Sequence, residues 1–152
     1  MGVSIIDGAI EAADLKRATG RVRIYRSITI RRGDGQTEEV KKPIVHADLT
    51  PHVEPGKSGR FYLFQSIDHR GIHAVRPHGG APVFRYPRTN ELAGMGLTLF
   101  TAVWIAISLN YIGDFSIFAL LGFLIGATVW VLNWRLRRSA ERQYADDNGG
   151  MI

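Results

Sequence analysis

Along the last third of the chain the hydrophobic pattern has no polar face. Leu92 to Ile112 is a run of 21 residues without a charge, and Phe115 to Trp134 is a second of 20. At a rise of ~1.5 Å per residue, each run predicts a helix of ~30 Å, the hydrocarbon thickness of a bilayer. A core helix of a soluble domain is shorter and carries a polar stripe. Here the few polar residues (Thr98, Thr101, Ser108, Asn110, Ser116, Thr128, Asn133) are scattered. A link as short as Gly113-Asp114 makes the two helices antiparallel neighbours.

The first 88 residues alternate on a different period. Ile6, Ala9, Ile10 and Ala13 share one face of a helix over Ser4 to Thr19, with Asp7, Glu11 and Asp14 elsewhere and Gly20 as its stop. Ser4 opens it as a capping box with Asp7 in the acid position, and Gly8 weakens it. From Arg21 to Arg31 the period becomes two: Val22, Ile24, Ile28 and Ile30 alternate with polar positions, and Arg26 interrupts the apolar face. Gly33-Asp34-Gly35 is a turn signal. Gln36 to Leu49 returns as a strand that Pro43 confines to an edge or a break. Arg60 to Ile67, Ile72 to Arg76 and Val83 to Tyr86 read as further strands, separated by Pro- and Gly-rich loops and a turn over Asp68 to Gly71.

The chain thus reads as α+β: a small antiparallel β-sheet or partly open β-barrel domain followed by a two-helix transmembrane hairpin. The expected divisions are an N-terminal amphipathic helix or arm (1–19) and a cytoplasmic β-rich domain (20–88). A hairpin (89–134, with spans 92–112 and 115–134) and a basic, then disordered, C-terminal tail (135–152) follow.

Within the hairpin, small residues recur every fourth position in the first helix, at Gly94, Thr98, Ala102 and Ala106. Gly122 and Gly126 do the same in the second. Such faces let backbones approach closely, either within the hairpin or in a homo-oligomer or larger membrane complex. Arg85 and Arg88 precede the first helix, Arg135, Arg137 and Arg138 follow the second, and the link has no base. The positive-inside bias places both termini in the cytoplasm, in a multi-pass protein of the cell membrane. Tyr86, Tyr111, Trp130 and Trp134 sit where an interfacial aromatic belt would place them.

Charge and composition sharpen the picture in two places. The chain of 152 residues has a formal charge of +5, and residues 1–91 carry 15 bases against 10 acids, so the whole excess lies there. Arg21, Arg23 and Arg31 project from one strand with Tyr25 among them. That is a basic face with an aromatic, open to nucleic acid or to anionic headgroups at ~1 kcal/mol per base. The neighbouring apolar runs favour the lipid bilayer over nucleic acid. Second, the absence of cysteine excludes disulfides and thiolate metal sites.

Candidate chemistry is sparse. Gly56-Lys57-Ser58 resembles the end of a phosphate loop, but Pro51 stands where its first glycine belongs and a strand, not a helix, follows. Five histidines (His46, His52, His69, His73, His78) lie in or beside loops. His69 and His73 have the spacing of a helical metal pair, yet on a strand they stand ~13 Å apart. The pairs Glu38-Glu39 and Asp146-Asp147 point apart or into water. No catalytic, cofactor or metal constellation emerges. The sequence favours a non-enzymatic integral membrane protein, an accessory or adaptor subunit. Two alternatives are a membrane-bound metal-handling protein or enzyme, which requires His52, His69 and His73 to converge, and an oligomeric transport element. The hairpin has no charge away from its turn to mark a transport path.

Overall fold

The computed structural model describes residues 2–66, 69–112 and 116–149. The Gly113-Asp114 link, Phe115 at the start of the second apolar run, Asp68 and the last residues of the tail lie outside them. The chain is α+β and divides into two compact units, residues 1–87 with 136–152 and residues 88–135.

The first unit is a five-stranded barrel with extra strands. Its strands are β1 (Gly2–Thr19), β2 (Val22–Arg32), β3 (Thr37–Lys41), β4 (Pro43–His46), β5 (Ser58–Gln65), β6 (Arg70–Pro77) and β7 (Val83–Phe84). The hydrogen-bonded circuit runs β1-β5-β6-β4-β2 and closes through β2 onto β1, with β3 added beside β2 and β7 beside β6. Every pairing is antiparallel except β4 with β6. Counting only barrel strands in chain order, the circuit is 1-2-3-5-4-1 with strands 3 and 5 parallel, the connectivity of OB-type barrels. A 3-10 helix, Ala47–His52, links β4 to β5 and buries Leu49, with Val53 just beyond it. Ile6, Ile10, Ile28, Ile30, Phe61 and Ile72 are among the side chains that fill the barrel. Each contributes ~1.5–3 kcal/mol by leaving water.

Residues 2–19 form a strand, not the expected helix. The apolar positions 6 and 10 satisfy both a helical repeat and a period of two, so the pattern was ambiguous there. Pairing on two edges decides it. β1 bonds β5 from Gly2 to Ala9 and β2 from Gly8 to Thr19. Ile6 then enters the barrel while Ile5 joins a second cluster outside it. Gly8, which weakened the helix, is required at the seam. A Cβ there would stand 2.2 Å from the carbonyl oxygen of Arg31.

Alternation also breaks where the sequence showed an interruption. Leu15 pairs with Tyr25 and Asp14 with Ser27, which leaves Arg26 as an extra residue in β2. This bulge turns Arg26 outward and brings Tyr25 into the core beside Ile28 and Ile30. Glu11 and Lys16 are extra residues in β1, and His73 is one in β6.

The second unit contains α1 (Thr89–Ile107), a π-helical turn over Ser108–Ile112, and the first part of α2 (Ile117–Asp147). The expected disordered tail is instead helical to Asp147. Leu136, Ala140, Tyr144 and Asn148 are buried at a spacing of four and belong to the barrel unit. Arg135, Arg137, Arg138 and Arg142 gave this stretch a polar composition that concealed the face.

Candidate functional site

In the helical unit the small residues meet one another. A Cβ on Gly94 would lie 2.7 Å from the Trp130 amide nitrogen and 3.0 Å from the Gly126 carbonyl. One on Gly126 would lie 2.8 Å from Thr98 N, and one on Gly122 2.9 Å from a Thr101 methyl. Thr98 and Thr101 satisfy their hydroxyls inside α1 by donating to Gly94 O at 2.8 Å and Leu97 O at 2.7 Å. The small faces thus serve contact within the chain. Ala102 is half-buried and Ala106 exposed.

Replacing Gly126 with Leu should lower the thermal midpoint of the detergent-solubilised protein by the equivalent of ~1–3 kcal/mol, because the new side chain meets backbone. Gly96→Leu is the control. Nothing lies within 4 Å of that Cβ, so an equal loss in both variants would contradict the packing.

The other faces of the apolar stretches of α1 and α2 are largely uncovered. Phe100 is 68% exposed, Phe118 87% and Tyr111 86%. Only 22% of the most apolar stretch of α1 and 11% of that of α2 is buried. Both helices are long and apolar enough to cross a membrane. Trp130 is half-buried and Trp134 is exposed. Glu91, which the sequence did not mark out, is buried in the first turn of α1, the helix end that favours a carboxylate.

A second cluster lies outside the barrel wall. Tyr62 and Ala74 on neighbouring strands, with Ile5 and Phe84, receive Tyr144 from α2. The Tyr144 ring stands 5.3 Å from Tyr62, edge on, and 5.1 Å from Phe84. Polar contacts frame it. Asp147 accepts from the Tyr62 hydroxyl and from Arg60, and Asn148 donates to the same hydroxyl at 3.1 Å. Burial first, then the Asp147 carboxylate, pushes the Tyr62 hydroxyl up to about 12. Asp7 holds Arg60 from its other side at 2.8 Å, and the hydrogen bonds that Arg60 donates, to Asp7 first and to Asp147, raise its pKa further. Among the site residues predicted from sequence, Tyr86 packs 5.0 Å from Phe64 and 5.9 Å from His73 in this region. Arg85 bonds Asp48 at 2.8 Å and holds its carboxyl below the usual range. Arg137 pairs with Glu141 at 2.6 Å, Arg138 lies 4.0 Å from the same carboxylate, and Arg88 and Arg135 are exposed.

His73 sits among Tyr62, Phe64, Phe84 and Tyr86, with centroids 5.6–6.2 Å away. It is fully buried and neither ring nitrogen has a hydrogen-bond partner. Desolvation alone holds its pKa down to about 3. Among the described residues no three His, Asp or Glu side chains converge to hold a metal ion, so His52, His69 and His73 do not form the triad that the metal-handling alternative needs.

A polar groove of about 300 Å³ is lined by Asp7, Arg60, Arg76 and His78. Its Arg60 is taken up by two carboxylates, and His78 faces Ser58 Oγ at 3.2 Å. The outward positions of β2 and β4, where OB-type barrels take oligonucleotides, present Val22 opposite His46 and Ile24 opposite Ile44, with no Phe, Tyr or Trp among the four. The features that define this chain are therefore a barrel of OB connectivity and an uncovered apolar helix pair. Comparison with family models, curated proteins and solved structures gives no match.

Proposed function

We propose that the chain is a non-enzymatic, multi-pass protein of the cell membrane, an accessory or adaptor subunit that presents its barrel in the cytoplasm on a transmembrane hairpin. The observation that carries this reading is the ring of exposed Leu, Ile, Phe and Trp side chains around α1 and α2. In water such a surface would cost ~25 cal/mol per Å², and contiguous apolar patches mark an interaction surface. Thr98 and Thr101 bond internally, as hydrocarbon demands. Residues on both sides of the helical pair belong to one compact unit, which favours an even number of crossings. The basic flanks, Arg85 and Arg88 before and Arg135, Arg137 and Arg138 after, favour the cytoplasm for that side.

The chain has no native cysteine, so single Asp34→Cys and Phe118→Cys variants test the topology with a membrane-impermeant thiol reagent. Asp34→Cys should label only when the cytoplasmic face is open, and Phe118→Cys only after detergent. Labelling of position 118 in intact vesicles, or recovery of the chain in buffer without detergent, would overturn the reading. The adaptor role is read by copurification in mild detergent. A stoichiometric companion protein is expected, and a monomer with enzymatic turnover would sink it.

A further inference from the structure

We infer that the closed end of the β1–β2 hairpin is a docking surface for anionic lipid headgroups, with Leu15 as its apolar contact and Lys16, Arg17 and Arg21 as its charges. Three of the seven bases from Lys16 to Arg32, those toward the open end of the hairpin, are paired with acids. Arg31 pairs with Glu11, Arg32 with Glu38, and Arg26 with Asp14 at 3.2 Å. Arg23 donates to the carbonyls of Gly20 and Val22 in the turn itself. Lys16, Arg17 and Arg21 differ. They are exposed and make no ion pair with any described residue, and Arg21 reaches Asp48 only as a through-space charge. No acid occurs between Leu15 and Tyr25. Three exposed bases without an ion pair to any described residue are thus gathered at one end of one hairpin.

The same end breaks its alternation. Lys16 is the extra residue of a bulge between the Leu15–Tyr25 and Arg17–Ile24 pairs, so Leu15, Lys16 and Arg17 are all exposed in succession. Leu15, at 49%, is an exposed large apolar side chain of the barrel unit, set among cations. A leucine ringed by bases fits a surface that is anionic at its face and apolar just below it. Nucleic acid would be met by stacking aromatics, and the exposed positions here include none.

The inference rests on the membrane reading only in requiring a bilayer within reach, and the test separates the two. The full-length chain carrying Leu15→Cys, labelled with an environment-sensitive fluorophore, is placed in nanodiscs of phosphatidylcholine alone or with phosphatidylglycerol. Blue-shifted emission, quenched by doxyl-labelled lipid, is expected only in the anionic discs. It should vanish at about 0.5 M salt, where the Debye length falls to a few ångströms. It should also vanish when K16E, R17E and R21E are combined, which turns three attractions into repulsions. The neutral set K16Q, R17Q and R21Q only removes three attractions; at ~1 kcal/mol per base it should weaken the contact roughly 100-fold.

A label at Phe118→Cys, read in parallel, should be quenched in both lipids. If it is quenched while position 15 emits identically in both discs, the docking surface is refuted and the hairpin reading stands. If position 118 is not quenched, both fail. A response at position 15 to a single-stranded oligonucleotide, with none to anionic lipid, would also refute the proposal and assign the patch to nucleic acid.

Discussion

Acid should destabilise this protein through a single buried ring. His73 is neutral in the folded chain because burial holds its pKa down to about 3, against an ordinary 6.5 when exposed. Its contribution to stability is therefore complete above pH 6.5. Below that it is lost at ~1.4 kcal/mol per pH unit, until the folded-state pKa is reached. By pH 4 the loss amounts to ~3 kcal/mol, a large share of the stability of an ordinary domain. The rings facing His73 are Tyr62 from β5, Phe64 from β5, Phe84 from β7 and Tyr86 beyond it. None of these carries a charge at that pH that could stabilise an imidazolium. His73→Leu removes both unpartnered nitrogens from the interior and should flatten the decline between pH 6.5 and 4. Thermal midpoints of the full-length chain in detergent, taken across that range, read the difference. Equal slopes for the variant and the natural chain would show that the ring does not titrate from a dry, neutral state.

The second large effect is expected at Tyr144. Its ring fills the space between Tyr62 and Phe84, and its truncation leaves a cavity in the cluster outside the barrel. Tyr144→Ala should cost ~3–5 kcal/mol, the range for removing a buried aromatic. The loss should be local before it is global. Amide hydrogen exchange over residues 136–147 should accelerate while the barrel strands keep their protection. Asp147→Asn should produce a smaller change, because the asparagine still offers an oxygen to the Tyr62 hydroxyl. Asp146→Asn, at an exposed neighbouring position, should produce none. If exchange over 136–147 is unchanged in Tyr144→Ala, the helix end does not depend on this ring.

The sequence displayed some of this plainly and concealed the rest for definable reasons. The two apolar runs were legible because length and the lack of charge need no tertiary context. The core positions of β5 were legible as an apolar run, and the turns at Gly33-Asp34-Gly35 and around Pro55-Gly56 from their residue types. The phase of β2 was not, because a bulge at Arg26 exchanges Tyr25 for Ile24 on the inner face. β1 was misread because positions 6 and 10 agree with two periods at once. Only pairing with a strand some fifty to sixty residues away separates them, and that information is not local. The cluster around Tyr144 was hidden because its partners lie 60 or more residues back in the chain. The small residues of the helices leave two arrangements open, contact within the chain, which the short link favours, and contact between copies. Steric distances at Gly94, Gly122 and Gly126 supply the answer for the single chain.

The double pairing of β1 also sets a timetable for biosynthesis. The N-terminal strand emerges first, yet its β5 partner follows some fifty to sixty residues later and β6 must join β5 to β4, so the ring cannot close until residue 77 has left the ribosome. Domains fold as units while synthesis proceeds at ~5–20 residues per second. The barrel can therefore close before either apolar helix is complete. Tyr144 and Asp147 are made last, after both helices, and they complete a body begun at residue 2. The first unit is thus finished only after the whole intervening segment has been made.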